Sequence, residues 1–516
     1  MDPAAELRRA DGLHSERKYR EAVDGYRLAL NGNASLFEAW YGLGCAHLSL
    51  RAYGDAAEAL RRAIALRGDA DAVRCNLAEA LFQLGDVDGA VAAYQRAADI
   101  GGAEVRSVAL AGIACIAPGA PSQDNFHVMA ARRRWMESQA RGTRPLAPVP
   151  AETGRKLRVG YLSAFFGDRN WMKGYMGVIN AHDRTRFEIH LLADGATPCA
   201  GAGYADRDDD RIWELGGISN AELARHIADA KIDVLVDLNG YSCQRRLPLF
   251  LYRPAPLQIC WFGMFGTTGM REIDWLVGDD AVIPPDEERY YTERVARMPG
   301  AYLAFWPFYP VPDVVPPASL STGQITFGCL SSAYKLTDPT IAAYAAILRD
   351  APSSRLLLRN RTLDDASNRA VLLARFAGHG ISAERLTLEG SGAHFDFLRT
   401  YDRVDVALDT FPYNGGTTTF EALWQGVPML TCNGDRWAAR TSRSLLLAAG
   451  LGEWVANDMA GFQKAGAALA NAPKTPERLA ELRRAMRARL RASTACDVTG
   501  LCRSLEALMT APAGTT

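Results

Sequence analysis

Over the first hundred residues, small and large apolar positions return at a fixed interval. Ala22, Tyr26 and Ala29 recur 34 residues later as Ala56, Leu60 and Ala63, and again as Ala90, Tyr94 and Ala97. Leu43 and Gly44 return as Leu77 and Ala78, Gly112 lies 34 further on, and Trp40 precedes Leu43 by three. Spacings of three and four residues between apolar positions predict helices, here in pairs. PGAPS (118–122) breaks the pattern, because Pro and Gly do not continue a helix. HVMAARRRWMESQA then reads as one more helix with Trp135 and three consecutive arginines, and RPLAPVP (144–150) as a Pro-rich linker. From there the pattern changes to short apolar runs. LRVGYLS (157–163), RFEIHLLADG (186–195), IDVLVDLNGY (232–241) and PLQICWFG (256–263) read as strands, with a helix over 220–230. After a Pro-rich stretch at 307–317 the alternation restarts with strands at 325–331, 354–360, 385–390, 405–410 and 428–433, and ends in a helical tail over about 459–511.

A 34-residue interval is that of tetratricopeptide repeats, in which each helix pair leaves an apolar face that only a neighbour can cover. Three repeats are expected, at about 3–36, 37–70 and 71–104, with 105–117 as a capping helix; 1–117 thus form an α-helical solenoid. The period reports a fold and not a ligand. A concave surface for a protein or peptide is one use of it; a spacer or an oligomerisation arm is another. Strands alternating with helices predict parallel, doubly wound sheets. Two such Rossmann-like halves, 156–310 and 318–516, joined to the solenoid by a linker segment at 118–155, have the layout of the GT-B glycosyltransferase architecture. Ligands in open α/β sheets bind beyond the carboxyl ends of the strands, which directs attention to the cleft between the halves. Periodicity alone would suit a two-domain binding protein or an epimerase equally well.

Composition narrows this. The chain has 516 residues with 58 Lys and Arg against 59 Asp and Glu, a net charge of −1. That balance gives no electrostatic case for nucleic acid or an anionic membrane as a partner. No apolar run reaches the roughly 18 residues of a membrane span, and the opening MDPAAELRRADG lacks the apolar core of a secretory signal. Ten scattered cysteines without a CxxC pair read as reduced thiols, so a cytoplasmic location is expected. The eight histidines form no HxxxH or HExxH. DRDDDR (206–211) contains Asp-x-Asp, but in a Gly-rich stretch away from a strand end, so it reads as a solvated loop; no metal is expected.

The most informative stretch is DVALDTFPYNGGTTTFEALWQGVPMLT (405–431). A buried strand ends at Thr410, a turn with Pro412, Asn414, Gly415 and Gly416 follows, and Thr417, Thr418 and Thr419 open a helix that carries Glu421. Glycines let a backbone approach a ligand closely. Hydroxyls and free N–H groups at a helix start favour an anion such as a diphosphate, and Glu421 is placed to accept a ribose hydroxyl. A capped helix without a ligand would use the same residue types.

This stretch resembles the protein O-GlcNAc transferase family, bacterial branch, whose members join tetratricopeptide repeats to a GT-B core. The likeness extends through LNGY (238–241), YRPAPLQICWFGMFGTTG (252–269), IDWLVGDD (273–280), YKLTDPT (334–340) and GDRWAARTS (434–442). The resemblance implies an inverting, metal-independent transfer without a cofactor, from a nucleotide sugar, by default UDP-GlcNAc, to Ser or Thr of a protein held by the repeats. It gives Lys335 the departing diphosphate, Thr417 and Thr418 the phosphates, Glu421 the ribose, His394 the base, and Arg440 a place in the donor segment. Tyr241, Gly263, Gly266, Thr267 and Thr268 fall in the loops near the acceptor hydroxyl.

The sequence also departs from that pattern. Where the family carries a His after the first strand, SAFFGDRNWMKGYM (163–176) has Arg169. Asp233 stands at the position of a second His, and Gly240-Tyr241-Ser242 replaces Gly-His-Thr. The catalytic base is then a carboxylate or an oxygen of the donor phosphate; the nearest carboxylates are Asp168 and Asp237, each also readable as a loop cap or a solvated charge. Arg169 and Lys173 could face an anionic donor, and CLSSAYK (329–335) replaces an Asn-rich segment. Two alternatives to the default therefore stand beside it: a flagellin glycosyltransferase using a CMP-linked nonulosonic acid, and a non-catalytic repeat scaffold.

Overall fold

In a computed structural model the described residues are 2–147, 154–263 and 265–511; the end of the expected Pro-rich linker, 148–150, lies outside them. Helices α1 (Pro3–Ser15) and α2 (Tyr19–Gly32), α3 (Phe37–Leu50) and α4 (Tyr53–Leu66), and α5 (Asp71–Gln83) and α6 (Val87–Ile100) pack as successive antiparallel pairs, followed by α7 (Ala103–Ile116). The periodic residues explain the stacking. Ala22, Ala29, Ala56, Ala63, Ala90 and Ala97 are fully buried, so helix backbones approach closely. Tyr26 lies over Gly42 of the next repeat and Tyr94 over Gly112 of α7; a Cβ at either glycine would fall 2.4 Å or 2.6 Å from the ring.

Helix α8 (Asn125–Ala140) leads the chain from the solenoid towards the two sheets. Its Arg132 is buried, with Nε donating to the Ala114 carbonyl (3.1 Å), Nη1 to the Thr267 carbonyl (2.8 Å), and its guanidinium 4.0 Å over the Tyr241 ring. One arginine thereby pins the last repeat helix to the loops beyond the first sheet.

The first sheet has seven parallel strands: β1 (Leu157–Ser163), β2 (Phe187–Ala193), β3 (Arg211–Glu214), β4 (Val234–Asp237), β5 (Leu257–Cys260), β6 (Trp275–Gly278) and β7 (Arg294–Arg297), in the order β3-β2-β1-β4-β5-β6-β7. The second has six, β8 (Thr326–Cys329), β9 (Arg355–Arg359), β10 (Leu386–Glu389), β11 (Val406–Leu408), β12 (Met429–Cys432) and β13 (Val455–Ala456), in the order β10-β9-β8-β11-β12-β13. Strands such as Val159–Ser163 are buried throughout, as sheets covered by helices on both faces require. Each order reverses once, between β1 and β4 and between β8 and β11. Those switch points place the loops after 163, 237, 329 and 408 around the cleft.

The helical tail is three helices, Met459–Asn471, Thr475–Arg491 and Val498–Thr510. The last leaves the second half and returns to the first, so the expected division at 318–516 does not follow the packing. Val498 covers Gly177, and Glu506 accepts from His182 Nδ1 (3.0 Å) and from the Asp183 N–H (3.0 Å). No described helix is long and apolar enough to cross a membrane.

Candidate functional site

The second switch point carries the diphosphate-type turn. At the end of β11, buried Asp409 accepts from the N–H groups of Thr410 (2.9 Å) and Gly415 (2.8 Å) and from the Thr431 hydroxyl (2.7 Å). Burial raises its pKa. This carboxylate curls residues 410–416 back over the strand end. Asn414 locks the curl through its side-chain amide to the Thr410 carbonyl (2.8 Å) and its N–H to the Ala438 carbonyl (2.8 Å). A Cβ at Gly415 would sit 2.6 Å from the Thr419 hydroxyl and 2.8 Å from that of Thr418, so a side chain there would displace both hydroxyls.

The helix Thr417–Trp424 follows with Gly416 at its N-cap and no side-chain cap. Thr419 and Phe420 donate to the Gly416 carbonyl, whereas the N–H groups of Thr417 and Thr418 meet no acceptor among the described residues. Thr417 reaches the Asn170 carbonyl at 3.4 Å and Thr419 is turned inward onto Ser442 (2.8 Å). Opposite the turn, Lys335 donates to the Asn414 carbonyl (2.6 Å) and lies 4.4 Å over the Tyr413 ring. Desolvation by burial outweighs the nearby Asp409 charge and lowers its pKa to about 8. An ammonium has three donors, and among the described residues only one of Lys335's is used. The turn is thus a cation beside uncapped N–H groups, suited to hold an anion.

Glu421 is shared by both halves. Its Oε1 takes an ion pair from Lys173, stands 3.3 Å from His394 Nε2 and 3.5 Å from the Tyr309 hydroxyl, while its Oε2 meets no hydrogen-bond partner among the described residues. Lys173 also donates to Asn170 (2.9 Å) and lies 4.7 Å from the Tyr309 ring centre. His394 packs edge-on against Tyr309 at 4.9 Å. Burial lowers the Lys173 pKa and raises that of Glu421, and their mutual attraction opposes both shifts. Burial, with Lys173 and Arg169 beside it, takes His394 down to about 4, so the ring is neutral at pH 7. Sequence reasoning named Glu421 and His394 together but had no local signal for their meeting with Lys173, 248 residues from Glu421 in the chain.

The residues expected on the acceptor side are engaged within the fold. Thr267 donates to Glu293 (2.7 Å), the Thr268 N–H does so at 2.6 Å and the Thr268 hydroxyl also bonds that carboxylate. Glu293, whose pKa burial raises, had no signal in the sequence. Tyr241 donates to the Thr268 carbonyl (2.7 Å) under Arg132, so it seals the solenoid against the core and does not line the cleft. Gly263 and Gly266 have φ of +75° and +149°; Gly263 packs on the Asn239 carbonyl, 2.1 Å from where a Cβ would be, and Gly266 on Val128 and Arg132. These two glycines serve close backbone packing.

Of the two carboxylates considered as bases, Asp168 is an exposed N-cap that accepts from Asn170 (2.8 Å) and Trp171 (3.2 Å). Asp237 is buried, accepts from the N–H groups of Asn239 (3.0 Å) and Gly240 (2.9 Å), and has a pKa raised by burial to about 6. Both shape loops. Arg440 is likewise withdrawn from the donor turn: its guanidinium forms a two-point pair with Glu287 (2.6 and 2.8 Å) and donates to the Gly434 carbonyl (2.7 Å). Glu287 also accepts from Asn125 of α8 (2.9 Å), so this pair fastens linker helix and both halves together. In the Asp-rich loop, Asp210 is buried against Arg184 (2.8 Å twice).

Known proteins share this fold. The profile described as Glycosyl transferase family 41 matches residues 146–305 and 318–505, and a tetratricopeptide repeat profile matches 47–109. The chain is 30% identical over 349 residues, 66% of its length, to an Arabidopsis thaliana protein named as a probable UDP-N-acetylglucosamine–peptide N-acetylglucosaminyltransferase, SPINDLY, and 32% identical over 335 residues to the Oryza sativa protein of the same name. It spans 38% and 34% of those relatives' own lengths. A solved structure of a lysine-to-methionine mutant of Thermobaculum terrenum O-GlcNAc transferase superposes with a TM-score of 0.83 at 30% identity, covering 98% of this chain and 97% of that one. With its repeat solenoid, its two Rossmann-like halves in GT-B arrangement and a match across most of both halves, the chain belongs to glycosyl transferase family 41.

Proposed function

We propose that this protein is an inverting protein O-glycosyltransferase that moves a sugar, by default GlcNAc from UDP-GlcNAc, onto a Ser or Thr hydroxyl of a protein engaged by its repeats. The observation that carries the reading is the turn 409–421 with Lys335 beside it: a half-buried cation and two uncapped N–H groups converge where a departing diphosphate needs charge stabilisation. The free Oε2 of Glu421 is the acceptor for a ribose hydroxyl, and the neutral His394, held edge-on against Tyr309, stands beside the place of the nucleobase.

In this mechanism the acceptor oxygen attacks the anomeric carbon as the bond to the diphosphate oxygen breaks, so configuration inverts and the negative charge moves onto the diphosphate. Lys335 and the helix start stabilise that charge as it forms. Asp168 and Asp237 are held in their loops by backbone N–H groups, which supports assigning the acceptor proton to an oxygen of the donor phosphate. The charge of Lys173 is matched by Glu421, so Lys173 itself supplies no surplus positive charge for an anionic sugar, and UDP-GlcNAc is kept as the default donor.

Incubating the protein with UDP-GlcNAc and a lysate of its source cells, followed by mass spectrometry, tests the reading. A gain of one N-acetylhexosamine on Ser or Thr that disappears with Lys335→Met is expected. Transfer that survives this substitution would overturn the assignment of the turn.

A further inference from the structure

The geometry points to the third repeat as part of the donor site: Phe82, Leu84 and Gly85 are positioning residues for Lys335. This rests on the reading of Lys335 as the diphosphate cation and goes beyond it, because it makes the repeat array a structural wall of the donor pocket as well as a place for a protein to bind.

Lys335 ends a single turn of 3-10 helix, Ala333–Lys335, between β8 and the helix Asp338–Asp350. So short an element has little stability of its own. It is gripped from two sides. On the donor side, Lys335 reaches the Asn414 carbonyl at 2.6 Å. On the other side stand the end of α5 and the loop from it to α6. The Phe82 ring stacks on Tyr334 with centres 4.8 Å apart and planes 19° apart, Tyr334 meets Tyr413 edge-on at 6.0 Å, and Lys335 sits over Tyr413.

The backbones are equally close. Gly85 adopts φ +84°, and a Cβ there would lie 2.4 Å from the Leu336 carbonyl oxygen and 3.1 Å from that of Ala333. Only glycine fits this contact, since both obstacles are backbone. The Leu84 carbonyl accepts from Arg375 (2.8 Å), which also holds Asp338 (2.6 Å), the first residue of the helix that Lys335 precedes. Anchoring of the second repeat on the same half, by Asn368 to Gly54 (3.0 Å) and Arg51 (2.8 Å), leaves the third repeat little freedom to lean away. The Lys335 ammonium is therefore placed by a segment some 250 residues away in sequence, and a shift of the array is transmitted to it through one ring and one backbone contact.

The test separates the diphosphate from the rest of the nucleotide. Affinities for UDP and UMP, and for GDP and GMP, are measured by calorimetry on the full chain and on Phe82→Ala, Gly85→Ala, Phe82→Tyr and Lys335→Met, each first shown to melt cooperatively. For whichever base binds, Phe82→Ala and Gly85→Ala are expected to reduce the diphosphate-over-monophosphate preference about tenfold, the scale of a lost charged contact. Monophosphate binding should be unchanged, and Phe82→Tyr should restore the preference. An unchanged preference in Phe82→Ala and Gly85→Ala, with Lys335→Met abolishing it, would overturn the positioning role alone. Should Lys335→Met also leave it unchanged, the diphosphate reading falls and the positioning role with it. If Phe82→Ala does not fold, Gly85→Ala and the milder Phe82→Leu decide the question by the same ratio.

Discussion

The turn after β11 and the loop after β5 were both marked by long, distinctive motifs, yet they differ in what their polar groups do. Around the turn after β11, Lys335 spends one donor on a carbonyl, and among the described residues Thr417 and Thr418 keep their N–H groups and Glu421 keeps one oxygen. After β5, the Thr267 and Thr268 hydroxyls both end on Glu293 and Tyr241 ends on the Thr268 carbonyl. Unspent polar groups in a cleft can recognise a ligand; spent ones in a packed interior hold the cleft's shape. A distinctive motif does not by itself separate the two, and a count of leftover donors and acceptors does.

That contrast can be broken by substitution. A large effect on stability is expected at Arg440. Arg440→Ala removes a buried guanidinium and leaves the partly exposed Glu287 without its charge partner, which should cost about 2–4 kcal/mol in chemical denaturation; a variant as stable as the parent but unable to bind nucleotide would return Arg440 to the donor site. Thr268→Val comes next. It removes a buried donor to Glu293 and should lower stability by about 1–3 kcal/mol, while the transfer rate per folded molecule is kept. Loss of transfer at full stability would show the loop after β5 to be a ligand surface after all.

Lys173→Met strips the charge partner from the deeply buried Glu421, so it too should lower stability; its functional effect is read per folded molecule. The substitution frees Oε1 of Glu421 and unbalances the pair, so the donor KM should rise about tenfold with kcat nearly unchanged. In a double-mutant cycle with Glu421→Gln the two effects should be less than additive, since both act on one carboxylate; full additivity would deny that Lys173 acts through Glu421.

A last effect, confined to acid pH, concerns the returning last helix. Buried His182 has Tyr161 on Nε2 (2.6 Å), Glu506 on Nδ1 (3.0 Å), and Arg184 and Arg503 nearby. Burial lowers its pKa to about 4 from 6.5. Between these values the unfolded chain binds a proton that the folded chain refuses, so stability is kept above pH 6.5 and lost as pH falls towards 4. Melting temperatures of the parent should drop through this window more steeply than those of His182→Gln. Parallel profiles would contradict the assignment.

These contacts also show what a sequence can and cannot carry. The solenoid was legible because Ala recurs at 34 residues and is fully buried each time, with Tyr26, Leu60 and Tyr94 filling one equivalent position. The turn 409–421 was legible because glycines, threonines and a glutamate lie consecutively on one strand-turn-helix. Strands β3 and β13 carry no such signal: β3 is a four-residue, largely exposed edge and β13 has two residues. The return of Val498–Thr510 to the first half was equally hidden, since an amphipathic helix declares that it has a buried face but not against what. Glu293 beneath Thr267 and Thr268, and Lys173 on Glu421, are meetings between distant residues. Nothing local in Thr-Thr or in Lys-Gly-Tyr announces them.

Thermal stability in the presence of UDP, UDP-GlcNAc, UDP-glucose, CMP and GDP, for the parent and for Lys335→Met, tests the central claim most directly. A ligand at about 100 times its dissociation constant stabilises by roughly 2.7 kcal/mol, which is readily seen as a shift in melting temperature. The account predicts that uridine diphosphate compounds stabilise the parent and that Lys335→Met, melting normally by itself, loses most of that shift. A parent that melts cooperatively and responds to no nucleotide, or a Lys335→Met variant that responds as the parent does, would contradict it.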